Sequence, residues 1–229
     1  MFKNNQITGT ENRSLEDLIR GHDDRFEKII QEIKSNINNK SKILDIGCGQ
    51  AKVWQLFPKT DVIGLDISKK NLSTAKKYIK PIYGNATKLP FKNNFFDFIL
   101  ASEVLEHIYE TNLVLKEINR VLKKKGKLVV TFPNTSSIQF RLSLCLWGRN
   151  PTLNYPHNVN HIRFFNIEDI KLMLKTTNLK VKKIRGCNFL SFHKVNFKFY
   201  IPIPRYIRYF GGDLFPSLSL GCIMMLEKQ

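Results

Sequence analysis

The scarcest chemistry in this sequence is acid. Lys and Arg number 37 against 19 Asp and Glu, a formal charge of +18. The shortage is local. Between Ile118 and Gly212 two acids, Glu168 and Asp169, stand against eighteen basic residues, whereas residues 1–117 carry fifteen acids and eighteen bases. Such a field favours anionic partners: a phosphorylated substrate, an acidic membrane surface or nucleic acid. Compositional drift in a chain rich in Asn, Ile and Lys is the bland account of the same numbers. Cysteine is sparse and scattered as Cys48, Cys145, Cys187 and Cys222, with no Cys-x-x-Cys pair. That argues against a disulfide framework or a zinc site and suits a reducing compartment. No apolar run approaches the roughly 18 residues of a spanning helix. The polar start MFKNNQITGTENR lacks the apolar core of a secretory signal, so a cytoplasmic location is expected. Repeats and low-complexity linkers are missing too, which leaves one sizeable domain in 229 residues.

The first forty residues read as helix, entered at Ser14-x-x-Asp17 and carrying Leu15, Leu18, Ile19, Phe26, Ile29, Ile30 and Ile33 near helical spacing. Short apolar runs then alternate with helical patterns. Strands are expected at Lys42–Ile46, Asp61–Leu65, Pro81–Tyr83, Phe95–Ala101 and Lys127–Phe132. Between them come a short helix through Phe57, a helix capped by Ser68, and one over Leu105–Leu122 that Gly126 separates from the next strand. This rhythm means a parallel sheet with helices on both faces. Past Pro133 it loosens: a helix over Ser137–Trp147, a polar loop over Asn150–Arg163, a helix capped by Asn166, and strands at Lys180–Ile184 and Leu220–Leu226. Residues 188–212 form an aromatic, basic insertion between the last two strands. The organisation expected is a helical cap over 1–40 and an α/β domain over 41–229.

The first strand runs into Gly47-Cys48-Gly49. A strand that ends in Gly-x-Gly and opens a helix suits a nucleotide-type cofactor, because glycines let backbone approach ligand and helix-start amides offer donors. The dinucleotide pattern needs a third glycine at 52, where Lys52 stands, which disfavours NAD. Asp66 closes the second strand, where an acid can accept from both hydroxyls of a ribose; its alternative role is to cap the helix at Ser68.

The succession ILDIGCG, VIGLDIS, GNATKLPFKNNFFDFILASEVLEHI and EINRVLKKKGKLVVTFPN resembles the class I S-adenosylmethionine (SAM)-dependent methyltransferases. It is most similar to the methyltransferase type 11 group, which includes ubiquinone- and menaquinone-type enzymes. The resemblance covers about residues 40–135, with an echo in HIRFFNIEDIKLMLKTTNLKV. It implies a doubly wound, Rossmann-like sheet of seven strands, mostly parallel with the last antiparallel, and SAM as cofactor. By the same resemblance Asp45, Gly47 and Gly49 wrap the methionine end of SAM. Asp66 takes the ribose, Ile67 lies beside the adenine, Asn85 and Ala86 meet its edge, and Ser102 and Glu103 lie beneath the transferred methyl. Ala51 stands where a third glycine is frequent, and Asn85 where Asp is usual; the second change keeps an acceptor oxygen and loses a charge.

Methyl transfer from a sulfonium needs an aligned nucleophile and, for a hydroxyl or protonated amine, a base. No metal is required by that chemistry, and none is expected. His107, beside Glu103 and Glu106, is one candidate base; its alternative role is packing next to Glu103. In NYPHNVNHIRFF, His157 and His161 are candidates for acid/base work, with Asn160 and Arg163 as acceptor contacts. Histidines four apart could hold a metal on a helix, but Asn and Pro here point to a loop, and no third ligand is evident. Ala101-Ser102-Glu103-Val104 lacks the Pro-Pro tetrad by which methylases of planar base nitrogens resemble one another, which argues against nucleic-acid bases as acceptors.

The insertion interleaves Phe and Tyr with Lys and Arg. It suits a lid over an apolar substrate, a contact with an anionic membrane, or base stacking; plain packing on the sheet is the alternative. The leading expectation is a methyltransferase acting on a small-molecule or lipid-linked, anionic or amphiphilic acceptor, at oxygen. On that view Lys194, Lys198, Arg205 and Arg208 attract the acceptor. The competing expectation is a non-catalytic module that holds RNA or a membrane through its basic half.

Overall fold

Apolar strand runs flanked by amphipathic helices can bury themselves only by stacking in layers, and the chain does so. The computed structural model describes residues 24–148, 161–190 and 203–229. The helix start at Ser14-x-x-Asp17, the candidates His157 and Asn160, and Lys194 and Lys198 lie outside the described residues. In chain order come α1 (Arg25–Asn36), β1 (Lys42–Ile46), a 3-10 turn at Lys52–Leu56, β2 (Asp61–Asp66), α2 (Lys69–Ala75), β3 (Lys80–Tyr83) and β4 (Phe96–Ser102). A 3-10 turn at Leu105–His107 precedes α3 (Thr111–Val121), β5 (Leu122–Pro133), α4 (Ile138–Trp147), α5 (Ile167–Leu174), β6 (Leu179–Cys187), α6 (Arg205–Leu214) and β7 (Gly221–Lys228).

The seven strands form one sheet in the order β3-β2-β1-β4-β5-β7-β6. The pairs among β1–β5 are parallel, and β7 runs antiparallel to both β5 and β6. Order reverses between β1 and β4, and at such a switch point the crevice outside the strands' carboxyl ends is where doubly wound sheets bind ligands. Strand alternation divides the core. Leu44, Ile46, Ile99 and Val130 face α3 and α5 through Val114, Ile118, Ile170 and Leu174. Ile43, Phe98, Leu100 and Val129 face α1 and the first 3-10 turn through Ile29, Ile33 and Trp54. α1 is thus a layer of the core as well as part of the expected cap.

Local caps fall where the residues require them. Ser68 accepts from Asn71 N at 3.2 Å, Ser137 from Phe140 N at 3.3 Å, and Asn166 forms a full capping box with Asp169. The helix expected over Leu105–Leu122 is instead broken at 108–110. Its carbonyls are used elsewhere: Glu106 O accepts from Ile162 N and Arg163 N, and Ile108 O accepts from the Thr111 hydroxyl at 2.9 Å. Gly126 is no separator but a buried residue within β5, which follows α3 without a loop and in which Lys125 takes φ +62°.

The insertion holds a helix. α6 turns Arg208 and Gly212 inward, and a Cβ added at Gly212 would meet Gly186 O at only 2.4 Å. Its other face leaves Tyr206, Phe210 and Leu214 exposed. Lys28 of α1 is wholly buried and locks the two helices together: its ammonium donates to Gly186 O (2.6 Å), Tyr209 O (2.8 Å) and Asp213 Oδ1 (3.0 Å). Arg185 completes the lock, donating to Asp213 Oδ2 at 2.7 Å and to Gln31 at 2.8 Å. Buried Arg208 does not face an acceptor in solvent, and Arg205 is paired with Glu27 at 2.6 Å.

Candidate functional site

The turn after β1 is pinned to β2 by Gly47 N and Cys48 N, which both donate to Leu65 O. Gly47 and Gly49 take φ +66° and +53°, which side chains disfavour. A Cβ at Gly47 would strike Val104 Cγ2 at 2.4 Å, whereas one at Gly49 would meet nothing within 4 Å. The first glycine packs; the second keeps a space open. Ala51 adopts the same left-handed conformation at φ +58° and is buried, so glycine's usual role there is filled by a small side chain.

Asp66 stands across that space. One carboxylate oxygen accepts from Gly49 N at 2.8 Å and the other from Ser68 N at 2.7 Å. Asp66 thus braces the turn and the start of α2, its capping role, and each carboxylate oxygen retains a lone pair for a further donor. Ile67 is 65% exposed next to it, an apolar face left uncovered by the described residues. Asn85 Oδ1 accepts from Thr87 N at 2.9 Å, and Ala86 is buried in the core. Asp45 is buried beneath the turn and accepts from Trp54 Nε1 at 2.6 Å. Burial pushes its carboxyl up to about 7, against the Trp54 bond and with the Asp66 charge adding.

The end of β4 carries the second half of the site. Glu103 has φ +54°, a strained position for a side chain, and pairs with Arg25 of α1. The Thr131 hydroxyl donates to Glu103 Oε1 at 3.0 Å and lies 3.0 Å from the Ser102 hydroxyl. Next along, Glu106 is 1% exposed, and neither of its carboxylate oxygens has a hydrogen-bond partner among the described residues. His161 Nε2 is 3.9 Å from Glu106 Oε1, and the His161 ring lies 4.8 Å from that of His107. Burial raises Glu106 well above the ordinary carboxylate range, as does the Glu103 charge. Burial lowers His161, and His107 does the same.

Of the candidate bases, His107 and His161 are brought together. His107 lies against His161, while Glu103 is taken by Arg25. Arg163 is spent on Tyr109, donating to its carbonyl at 2.7 and 3.1 Å and lying over its ring at 4.9 Å. It borders a cleft of about 390 Å³ lined also by Thr111, Phe165 and Met173, which contains none of the cofactor candidates. The residue pattern shows no third donor near His161; the fold supplies Glu106 and His107, whose donor atoms and those of His161 lie within 4.8 Å of one another. Arg25, Trp54 and Thr131 also join the site without a signal in the sequence. Only the Glu103-x-x-Glu106 spacing hinted at the cluster.

Residues 44–130 match the methyltransferase domain family. That stretch of the chain is similar to a methyltransferase domain. The chain is 28% identical over 180 residues to the ubiquinone biosynthesis O-methyltransferase of Pelagibacter ubique, covering 71% of this chain and 73% of that one. It is 35% identical over 117 residues to the demethylmenaquinone methyltransferase of Thermotoga maritima, covering 48% and 51%. An uncharacterized protein of Methanocaldococcus jannaschii is 40% identical over 114 residues, and there too the match spans about half of each chain, 49% and 50%. A SAM-dependent methyltransferase of Thermotoga maritima shares the fold at TM-score 0.64 and 20% identity, over 93% of both chains. The [4+2]-cyclase SpnF shares it too, at TM-score 0.61 and 16% identity over 88% of this chain and 80% of that one, so the fold alone does not fix the reaction.

The cofactor of this family is SAM, and the residues present fit it. The chain offers an open glycine turn, a carboxylate on its rim and an uncovered isoleucine beside it. Gly47 and Gly49 would lie along the methionine end, Asp66 with Ile67 would hold the nucleoside, and Ser102 and Glu103 would lie beneath the methyl. Asp45 and Ala86 support the cradle from below.

Proposed function

We propose that this methyltransferase moves a methyl group from SAM to an oxygen of a small-molecule or lipid-linked, amphiphilic acceptor. One observation carries the reading: Gly47 packs on Val104, so the cofactor turn and the Glu103–Glu106–His107–His161 cluster are immediate neighbours. When bound, SAM supplies a methyl carbon already activated by a sulfonium. The chain's part is to hold the acceptor in line, exclude water and take its proton. The name of the Pelagibacter relative, an O-methyltransferase of ubiquinone biosynthesis, supports oxygen as the methylated atom. Calorimetric titration with S-adenosylhomocysteine tests the cofactor half. Micromolar binding that is lost in Asp66→Ala is expected, and a folded protein that does not bind overturns the reading. Labelled methyl transfer to lipid-linked hydroxyl acceptors tests the other half.

A second reading, contact with an anionic membrane, is favoured by α6. Tyr206, Phe210 and Leu214 stand exposed at four-residue spacing, and Asp213 is drawn to Lys28 and Arg185. An aromatic face in a stretch rich in bases suits an interfacial helix. No described helix is long and apolar enough to cross a membrane. Tight, salt-dependent RNA binding without affinity for the cofactor product would favour the non-catalytic module instead.

A further inference from the structure

A hydrogen-bond donor stands at the far side of the cofactor cradle. In the sheet order β3-β2-β1 the Gly47–Gly49 turn follows β1, and Asp66 closes β2. A nucleoside whose ribose rests on Asp66 and whose sulfur end lies over the glycine turn must send its base the other way, past Ile67 toward β3. The chain there is tied to the acid. Asp66 is paired with Tyr83 across β2 and β3, and Gly84 N donates to Asp66 O at 3.2 Å. Asn85 follows, exposed, on the side that the base would reach.

Asn85 does not meet a base as an acid would. Its Oδ1 accepts from Thr87 N at 2.9 Å, and because an N–H only donates, the oxygen of the amide and not its nitrogen faces that turn. A carboxylate in this place has two oxygens, one for Thr87 N and a second for a ligand. The amide has one, and Asn85 spends it within its own loop. What remains is Nδ2, which carries two donor hydrogens and has no hydrogen-bond partner among the described residues. The neighbours do not reverse this. Ala86 is buried, and the Lys69 ammonium, 5.3 Å from the centroid of the Tyr83 ring, adds donors only.

We infer that Asn85 reads the base of the cofactor as a hydrogen-bond donor, so that this site takes a 6-oxopurine nucleoside as well as an adenine one. This rests on the SAM reading and deepens it. The 6-amino group of adenine only donates, and an acceptor such as a carboxylate selects it while repelling a 6-oxygen. A donor cannot make that selection. It meets a ring nitrogen of adenine or O6 of hypoxanthine, each an acceptor, and bonds to either. Asn85 therefore sets which base is tolerated, in a position where Asp would set the stricter preference.

The test is calorimetric titration of the full chain with S-adenosylhomocysteine and with S-inosylhomocysteine, its 6-oxo counterpart, for the wild type, Asn85→Asp and Asn85→Ala. The wild type is expected to bind the two within about tenfold of each other, and a wider gap overturns the proposal. In Asn85→Asp the gap widens by about tenfold or more in favour of the adenosyl ligand, since the new oxygen accepts from the 6-amino group and repels O6. In Asn85→Ala both ligands weaken by a similar factor, about fivefold, because each loses one donor. A ratio unmoved by Asn85→Asp overturns the proposal. So does an Asn85→Ala loss confined to the adenosyl ligand, which would make the amide oxygen the reader. Each variant decides by itself if the other fails to fold. A folded wild type that binds neither ligand overturns the cofactor reading and this proposal with it, whereas binding with the wrong ratio overturns this proposal alone.

Discussion

Asp45 and Trp54 form a buried pair directly under the cofactor turn, the indole N–H donating to the carboxylate at 2.6 Å. Because burial raises the folded-state carboxyl to about 7 from an ordinary 3.8, folding favours its protonated form. That contribution is fully present below the unfolded value and is lost as pH rises through about 7. Asp45→Asn keeps the acceptor oxygen and removes the titration. The melting temperature of Asp45→Asn relative to wild type is therefore expected to rise between pH 4 and 8, by about 4 °C or more. Thermal scans across that range check it, and a constant difference would contradict it.

The two glycines of the turn should separate packing from binding. Gly47→Ala sets a Cβ against Val104 and a strained φ together, so it is expected to lower both stability and affinity for the cofactor product. Gly49→Ala meets no neighbour. It should cost about 1 kcal/mol of stability through its φ while weakening binding at least tenfold. Chemical denaturation and calorimetry on the two variants, side by side, decide this.

Lys28 is the hinge pin between α1 and α6. Lys28→Met removes a buried ammonium and leaves Asp213 and two carbonyls short of a donor, at an expected cost of about 3 kcal/mol. The urea midpoint should fall accordingly. Because Arg25 lies on the same helix and pairs with Glu103, binding of the cofactor product should weaken as well.

On α6, Phe210→Glu places a charge at the centre of the exposed apolar stripe. Sedimentation with phosphatidylglycerol vesicles is expected for the wild type and at least tenfold reduced in the variant, with folding unchanged. Equal binding by both proteins would remove α6 from the membrane reading.

Much of this could be seen in the residues themselves. Strand runs such as KILDI and DVIGLD state their burial by composition, and the caps at Ser68, Ser137 and Asn166 work within a few residues of chain. Less legible was anything that depended on where a carbonyl finds its donor. The break at 108–110 in an otherwise helical pattern arises because Glu106 O is taken by Ile162 and Arg163, a contact invisible to periodicity. Likewise α6 lay unseen in a span marked only by its aromatics and bases, since its helix is held by Lys28 and Gly186 from distant parts of the chain.

The cofactor cradle was determined by the sequence alone, because a strand, a Gly-x-Gly turn and an acid one strand later assemble within a single β-turn-β unit whose geometry the backbone dictates. The cluster at the end of β4 was decided only by tertiary structure. Arg25 reaches Glu103 because α1 packs across the sheet, and His161 meets Glu106 because a main-chain carbonyl captures a returning loop. Such contacts depend on sheet order and on which backbone groups are left to pair, and no local pattern of residue types encodes either.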